Sequence, residues 1–187
     1  IISSDSEQIR DVSLQYGAEA PFLRPAELSD DFCGLKQVFD HAVSEIESDD
    51  ITLSFACCLF ATAPLVDPAD IVRGLNLLKI HTASRRSLAV TMSPSPIERA
   101  MQLDANDSLV MIQPAHKLTR SQDLPSAFYD AGQFFWERID TSQSQALRNE
   151  PLPVFINSVR VRDIDTEADW QMAERQYQLL KDIPKSS

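Results

Sequence analysis

The chain is organised around the stretch Arg162-Asp163-Ile164-Asp165-Thr166-Glu167-Ala168-Asp169-Trp170. An alternating apolar run, Val154-Phe155-Ile156-Asn157-Ser158-Val159, precedes it. Read as the end of that strand, Asp163 and Asp165 share one face and Ile164 points the other way. At roughly 3.3 Å per residue their Cα atoms would lie about 6.6 Å apart. The pair therefore predicts a site for Mg²⁺, which is typically held by one or two carboxylates together with substrate phosphates.

A purely structural role explains the same residues. Acidic side chains ahead of a helix act as N-caps and stabilise its positive end. Thr166 and Asp169, three residues later, are close to a capping box, with Asp in place of Glu or Gln. This stretch alone leaves both interpretations open.

The bulk composition excludes several classes of function. At 187 residues the chain is predicted to form one domain over 1–187, and 43% hydrophobic residues suit a soluble globular protein. The net charge of −11 argues against nucleic-acid or membrane-surface binding, because phosphate groups attract Lys and Arg. No stretch reaches the roughly 18 apolar residues of a membrane span. An anionic substrate would need local basic side chains or a cation.

The cysteines do not form a recognisable metal or disulfide pattern. Cys57 and Cys58 are adjacent in an apolar run, and Cys33 stands alone. Zinc spacings with Cys or His are absent, and an odd count does not indicate a disulfide framework. Reduced thiols of a cytosolic protein are expected.

The order of strand-like and helix-like segments predicts an α/β fold with a mostly parallel sheet. The apolar run 51–60 is typical of a central parallel strand that is covered on both faces. Ligands of such sheets bind beyond the carboxyl ends of the strands. This rule places Ser4-Asp5, 61–64 and the pair Asp163 and Asp165 on one rim.

Several segments, in consistent order, resemble one family. They are Ser3-Ser4-Asp5, Leu23-Arg24-Pro25-Ala26-Glu27-Leu28, Thr62-Ala63-Pro64, Arg120-Ser121-Gln122-Asp123-Leu124, Asp130-Ala131-Gly132-Gln133-Phe134-Phe135-Trp136 and Asp163-Ile164-Asp165-Thr166. The family is the acylneuraminate cytidylyltransferases, or CMP-sialic acid synthetases. The element from Asp130 to Trp136 is most similar to the pseudaminic acid cytidylyltransferase branch.

The resemblance implies a three-layer, Rossmann-like nucleotidyltransferase fold with a mostly parallel sheet. It also implies transfer of CMP from CTP to the anomeric hydroxyl of a nine-carbon 2-keto acid sugar, pseudaminic acid, with release of pyrophosphate. Asp163 and Asp165 would be the catalytic Mg²⁺ ligands. A cytoplasmic homodimer is expected, with 113–150 as an excursion for sugar binding and dimerisation.

The resemblance also suggests roles for individual residues. The nucleotide would be bound by Arg24 and the turn Thr62-Ala63-Pro64. Arg99 would meet the sugar carboxylate, since Arg suits bidentate recognition. The sugar hydroxyl and amide groups would be contacted by Gln122, Asp130 and Gln133.

Some features depart from the family pattern. The family begins with a strand and a Gly/Ser/Arg/Lys loop that holds the CTP phosphates, and this segment precedes the point where the chain starts. We therefore expect an N-terminally truncated sequence that binds CTP poorly and is inactive alone. Ala61 and Cys33 stand where proline and threonine are usual. Two alternatives remain: N-acetylneuraminic or legionaminic acid as acceptor, or a degenerate, non-catalytic module for sugar-nucleotide binding or dimerisation.

Overall fold

The computed structural model describes residues 1–30, 32–48, 50–139 and 147–181. Its helices are α1 (Glu7–Gln15), α2 (Leu35–Ile46), α3 (Pro68–Ile80) and α4 (Glu167–Lys181). Its strands are β1 (Phe55–Leu59), β2 (Arg86–Met92), β3 (Met101–Leu103), β4 (Leu109–Met111), β5 (Phe128–Arg138) and β6 (Leu152–Phe155). The sequence also predicts a short helix from Thr141 to Arg148, most of which lies outside the described residues.

The chain divides into two compact units, whereas the sequence suggests a single domain. The first contains Ile1–Ala56 together with Ile139. The second contains Cys57–Arg138 and the described residues from Leu147 onward. The second unit holds most of the sheet and all but one of the predicted site residues.

The sheet is mixed, and the prediction of a mostly parallel sheet is wrong. Strands β1, β5, β2 and β6 lie side by side in that order. β2 runs parallel to β6 but antiparallel to β5. The physical reason is the connection from β2 to β5, which contains no α-helix. It leaves and returns at the same end of the sheet, where the backbone N–H of Ser93 donates to Ala127 at 2.8 Å.

The position of β1 also differs from the prediction. Among the described strands β1 is at an edge of the sheet, and its residues are half-buried or exposed. The central position belongs instead to β5 and β2. An uninterrupted apolar run indicates burial, but it does not say which strands lie on either side.

The excursion from the sheet covers residues 93–127, which differs from the predicted 113–150. It contains the two-stranded β3–β4 ribbon and three short 3₁₀ turns, Ile97–Arg99, Pro114–His116 and Ser121–Asp123. The predicted and observed segments overlap at 113–127. Beyond that point the chain re-enters the main sheet as β5.

The core of the second unit lies between the sheet and α3. Its buried members are Ala89, Ala131, Phe134, Val154 and Ile156. Phe134 is fully buried, and the Trp136 indole N–H donates to the carbonyl of Ile71 at 2.8 Å. The aromatic side chains of Phe134 and Trp136 on β5 therefore pack in this core.

Gly74 lets α3 approach the sheet closely, and Gly74→Ala is expected to destabilise the fold by about 1–3 kcal/mol. An added Cβ would lie 2.9 Å from Trp136 Cδ1 and 3.2 Å from both Phe134 Cε2 and Ser87 Oγ. The indole cannot move away without losing its hydrogen bond to Ile71. A lower urea midpoint would confirm the effect.

Gly34→Ala is the matched control for this substitution, because an added Cβ there would meet only Gln37 Oε1, at 3.9 Å. Equal midpoints for the two variants would contradict the steric account.

No helix among the described residues combines the length and apolar character needed to cross a bilayer.

Candidate active site

Asp163 and Asp165 do not end a strand, so this part of the sequence interpretation is wrong. β6 ends at Phe155, and the chain then forms a 3₁₀ turn over Ser158–Arg160. Asn157 starts the turn, because its side chain accepts a hydrogen bond from the backbone N–H of Val159 at 3.1 Å. Both aspartates lie in the irregular segment between this turn and α4.

The N-terminus of α4 is capped by other residues, as the capping-box pattern predicts. The Thr166 hydroxyl accepts from the backbone N–H of Asp169 at 3.2 Å. In return, the Asp169 carboxylate accepts from the Thr166 N–H at 2.9 Å and from its hydroxyl at 2.6 Å. The hydrogen bond from the Thr166 side chain is the main cause of the lowered pKa of Asp169. Asp163 and Asp165 are therefore not needed as caps.

The carboxylates of Asp163 and Asp165 are exposed and free. Neither makes a side-chain hydrogen bond or ion pair with any residue in the described ranges. Two solvent-facing carboxylates without a structural partner are available to bind something else. This observation favours the functional interpretation of the pair over the capping one.

The predicted turn Thr62-Ala63-Pro64 lies next to residues 160–165, the acidic segment, which carries Asp163 and Asp165. The backbone N–H of Ala63 donates to the carbonyl of Phe60 at 3.2 Å, which closes the turn. Pro64 and Ile164 line the same mostly apolar cleft of about 290 Å³, together with Trp170, Ala173, Glu174 and Tyr177. The turn and the Asp163–Asp165 segment therefore meet, as the rim argument predicts for these two elements.

A bulge in β5 brings a third carboxylate, that of Asp130, towards the same place. Leu88 pairs with Phe135, but Val90, two residues on, pairs with Asp130, so β5 carries three extra residues. Within the bulge Gly132 has φ +61°, a left-handed conformation that favours glycine. Its N–H donates to Asp130 Oδ1 at 2.8 Å, and a Cβ at Gly132 would lie 4.0 Å from Asp163 Oδ2. Bulges of this kind often re-aim side chains beside active sites.

Gln133 follows Gly132 in β5 and is buried in the interior. Its side chain is fully buried, and Nε2 donates to the carbonyl of Arg160 at 2.6 Å. The predicted sugar contact of Gln133 stays a prediction, because the structure shows a buried link to the turn before Asp163.

A second group of residues surrounds Arg99. A cavity of about 410 Å³ is lined by Ser93, Ser95, Pro96, Ile97, Arg99, Ala100 and Ser121. Arg99 Nη1 donates to Ser121 Oγ at 3.3 Å. Gln122 follows Ser121 in the same exposed 3₁₀ turn. The serine hydroxyls and the one guanidinium that line this cavity suit a small anion that carries hydroxyl groups.

The paired strands β2 and β5 relate the two groups to each other. Ser93 of the cavity is hydrogen-bonded to Ala127, and Asp130 is three residues further along β5. Three residues of a strand span about 10 Å. Asp130 is therefore about 10 Å along the chain from the residue that pairs with Ser93 of the cavity.

Arg24 belongs to the first unit. Its guanidinium donates to Ser29 Oγ at 3.0 Å and pairs with Asp5 Oδ1 at 3.4 Å. Its backbone N–H donates to the carbonyl of Ser4 at 2.9 Å. The two segments with the family-like patterns in this unit, 3–5 and 23–28, are therefore in direct contact.

The donor set at Asp163 and Asp165 suits Mg²⁺. No cluster of three or more His, Cys, Asp or Glu residues that could hold a metal ion is present within the described ranges. A closed protein site is therefore not formed, but Mg²⁺ usually needs only one or two carboxylates and takes its other ligands from water and phosphates. Cys57 does not compete as a thiolate, since burial and the neighbouring Cys58 raise its pKa to about 12.

The sequence of the chain is similar to those of known proteins. The chain is 35% identical over 181 residues to the pseudaminic acid cytidylyltransferase of Campylobacter jejuni, covering 96% of this chain and 78% of that protein. The chain belongs to the acylneuraminate cytidylyltransferase family. A more distant member, the CMP-N,N'-diacetyllegionaminic acid synthase of Legionella pneumophila, is 25% identical over 184 residues and is covered to 78%. No protein-family model matches the chain.

Solved structures support the family's fold. A CMP:2-keto-3-deoxy-manno-octonic acid synthetase, solved with CTP, superposes with a TM-score of 0.58 over 97% of this chain and 80% of that one. Its sequence identity is only 10%, so it supports the nucleotidyltransferase fold alone.

Sequence reasoning missed Arg160, Asp70 and Ser121. Asp70 is one acidic residue in the first turn of an ordinary helix, and Arg160 is one arginine before a metal-like motif. The burial of a charged side chain cannot be recognised from its neighbours in the sequence, because the residue that pairs with it is far away along the chain.

Proposed function

We propose that this chain transfers CMP from CTP to the anomeric hydroxyl of pseudaminic acid, releasing pyrophosphate, as a cytoplasmic Mg²⁺-dependent enzyme. The observation that carries the proposal is the free carboxylate pair Asp163 and Asp165, beside the Thr62–Pro64 turn, in a member of this family. The relative with 35% identity is named for pseudaminic acid, which supports that acceptor. The cytoplasmic location is part of the proposal because CTP is consumed.

In the proposed reaction the anomeric oxygen of the sugar bonds to the α-phosphorus of CTP. The bond from that phosphorus to pyrophosphate breaks, its electron pair leaves with pyrophosphate, and the hydroxyl proton passes to water. Phosphoryl-type transfer depends mainly on positioning and electrostatic stabilisation. A Mg²⁺ ion held by Asp163 and Asp165 would neutralise negative charge on the triphosphate and the leaving pyrophosphate.

The other site residues hold the substrates in place. Arg99 would bind the sugar carboxylate in the cavity that it lines, and Gln122 and Asp130 would contact hydroxyl and amide groups of the sugar. Arg24 and the Thr62-Ala63-Pro64 turn would contact the nucleotide. Bringing the two reactants together in the right orientation supplies a large part of the rate enhancement of such reactions.

A homodimer formed through the excursion is also part of the proposal. The β3–β4 ribbon exposes apolar side chains, among them Met101, Leu103 and Leu109. A second copy of the chain would remove this surface from water.

The test is a pyrophosphate-release assay on the protein expressed from its whole coding sequence. Release is expected only with CTP, Mg²⁺ and a sugar acid present together, with the highest kcat/KM for pseudaminic acid. CTP binding without release under all conditions would instead favour a non-catalytic binding module.

Legionaminic acid is the second candidate acceptor, supported by the 25% identity to the Legionella synthase. The assay should therefore be run in parallel with pseudaminic, N,N'-diacetyllegionaminic and N-acetylneuraminic acids. A higher kcat/KM for either of the last two would replace pseudaminic acid as the acceptor while leaving the reaction class unchanged.

A further inference from the structure

We propose that Arg160 is a positioning residue, which holds the segment with Asp163 and Asp165 in place through Asp70 on α3 and Gln133 in β5. The inference rests on the proposed metal role of the two aspartates and assigns positioning roles to Arg160, Asp70 and Gln133. All of these residues belong to the second unit of the chain.

The first attachment is an ion pair. Asp70 is 2% exposed, and its Oδ2 lies 2.5 Å from Nη1 of Arg160. The contact is a close ion pair rather than a well-directed hydrogen bond, since neither atom has a hydrogen-bond partner. The other oxygen of Asp70 lies 2.6 Å from Nη2 of Arg73. A buried carboxylate strongly resists losing such partners, because an unpaired charge in the interior is costly.

The second attachment acts on the backbone. The fully buried Gln133 donates from Nε2 to the carbonyl oxygen of Arg160 at 2.6 Å. Gln133 directly follows Gly132, the residue that faces Asp163 Oδ2. The β5 bulge therefore contacts the acidic segment at its start and beside its first carboxylate.

These two contacts hold Arg160 in place, and Arg160 is the first residue of the acidic segment that carries the two aspartates. Asp163 is only three residues beyond Arg160, and three residues span at most about 11 Å of chain. In the described part of the segment, the carboxylates of Asp163 and Asp165 have no partners of their own to fix them. Their placement must therefore come from the residues around them. The segment is held at Arg160, at the Thr166–Asp169 cap and at Arg162, whose Nε donates to Gln176 Oε1 at 2.7 Å.

The expected consequence is an effect on metal affinity. Groups that orient metal ligands without touching the metal typically change metal affinity by 10–100-fold when they are mutated. Arg160→Gln removes the charge that pairs with Asp70, although the carbonyl bonded to Gln133 remains. We expect about tenfold weaker binding of Mn²⁺, used as the probe for the Mg²⁺ site in the presence of CTP.

The experiment combines three readouts on the full-length protein. Free Mn²⁺ is measured by electron paramagnetic resonance, hydrogen exchange is followed at the amides of 161–165, and the unfolding midpoint is determined. Arg160→Gln is expected to weaken Mn²⁺ binding and to accelerate exchange in that segment. Arg160→Lys, which keeps the charge, should recover part of both losses.

Arg73→Gln is the matched control, because it removes the other cation from the same carboxylate. Arg73 contacts Asp70 and the carbonyl of Phe155 but not the acidic segment. It should lower the unfolding midpoint without changing Mn²⁺ affinity. If Arg160→Gln behaves in the same way, Arg160 is merely structural and the inference is overturned.

Two further variants keep the test decisive. Should Arg160→Gln fail to fold, Asp70→Asn retains the side-chain shape and is expected to weaken Mn²⁺ binding by a similar factor, whereas unchanged affinity would refute the coupling. Asp163→Asn with Asp165→Asn belongs in the same titration. If that double variant binds Mn²⁺ normally, the metal assignment itself fails. If it loses binding while the Arg160 and Asp70 variants do not, only the positioning role fails.

Discussion

Replacing Asp163 and Asp165 together by asparagine is expected to slow pyrophosphate release by at least about a hundredfold, with little change in the unfolding midpoint. Removing preorganised charge stabilisation from a transferring group typically costs two to three orders of magnitude in rate. Stability should be retained because both carboxylates are exposed and have no structural partner in the described ranges. The measurement is initial-rate pyrophosphate release against Mg²⁺ concentration, combined with thermal unfolding.

Asp169→Asn is the control for this prediction, since it makes the same chemical change in the same segment. The Asp169 carboxylate completes the cap of α4, so its replacement should lower stability. The asparagine oxygen can still accept the Thr166 N–H and keep this end of the segment in place, so the Mg²⁺ dependence should change far less than in the double variant. Full activity in the Asp163 and Asp165 double variant would remove these residues from the metal site. A large loss of stability in the double variant would show that they have a structural role as well.

Arg99→Ala is expected to raise the KM for the sugar acid by roughly ten- to hundredfold while the KM for CTP changes little. Hydrogen bonds to charged groups contribute about 1.5–3 kcal/mol, which corresponds to this range. Arg99 is the basic side chain that lines the cavity of about 410 Å³, and its described hydrogen bond is a 3.3 Å contact with Ser121. The guanidinium can therefore accommodate a carboxylate without breaking a strong internal ion pair.

Arg120→Ala provides the comparison for Arg99. Arg120 is a nearby, highly exposed arginine that forms an ion pair with Asp123 at 2.7 Å and does not line the cavity. It should leave both KM values close to those of the wild type. Equal effects of the two substitutions would indicate a general electrostatic contribution rather than recognition of the sugar carboxylate at Arg99.

Local patterns predicted local features of the site well. The capping box at Thr166 and Asp169 was visible because its partners are three residues apart. The rim argument correctly brought the Thr62–Pro64 turn to Ile164, because loops at one edge of a sheet tend to meet. The geometry of Asp163 and Asp165 was predicted wrongly, since an alternating pattern did not reveal the turn that starts at Asn157.

Long-range features could not be predicted in the same way. The antiparallel direction of β5 depends on how residues 93–127 fold back, and the apolar pattern of a buried strand is similar in both directions. The link from Gln133 to Arg160 joins residues 27 positions apart, and Asp70 meets Arg160 from another element altogether. Such pairings are selected by the packed fold rather than by neighbouring residues.

The sequence by itself determined the family, the acidic pair and the cap of α4, because each is written in runs of adjacent residues. Only the tertiary structure decided whether the carboxylates of Asp163 and Asp165 are available for binding. It showed that Thr166 and Asp169 already satisfy the helix terminus, which leaves both carboxylates exposed. It also showed that a bulge in β5 and a buried ion pair at Asp70 surround the segment that carries them. The physical reason is that hydrogen bonding near a helix end is local, whereas burial and charge pairing depend on residues that only folding brings together.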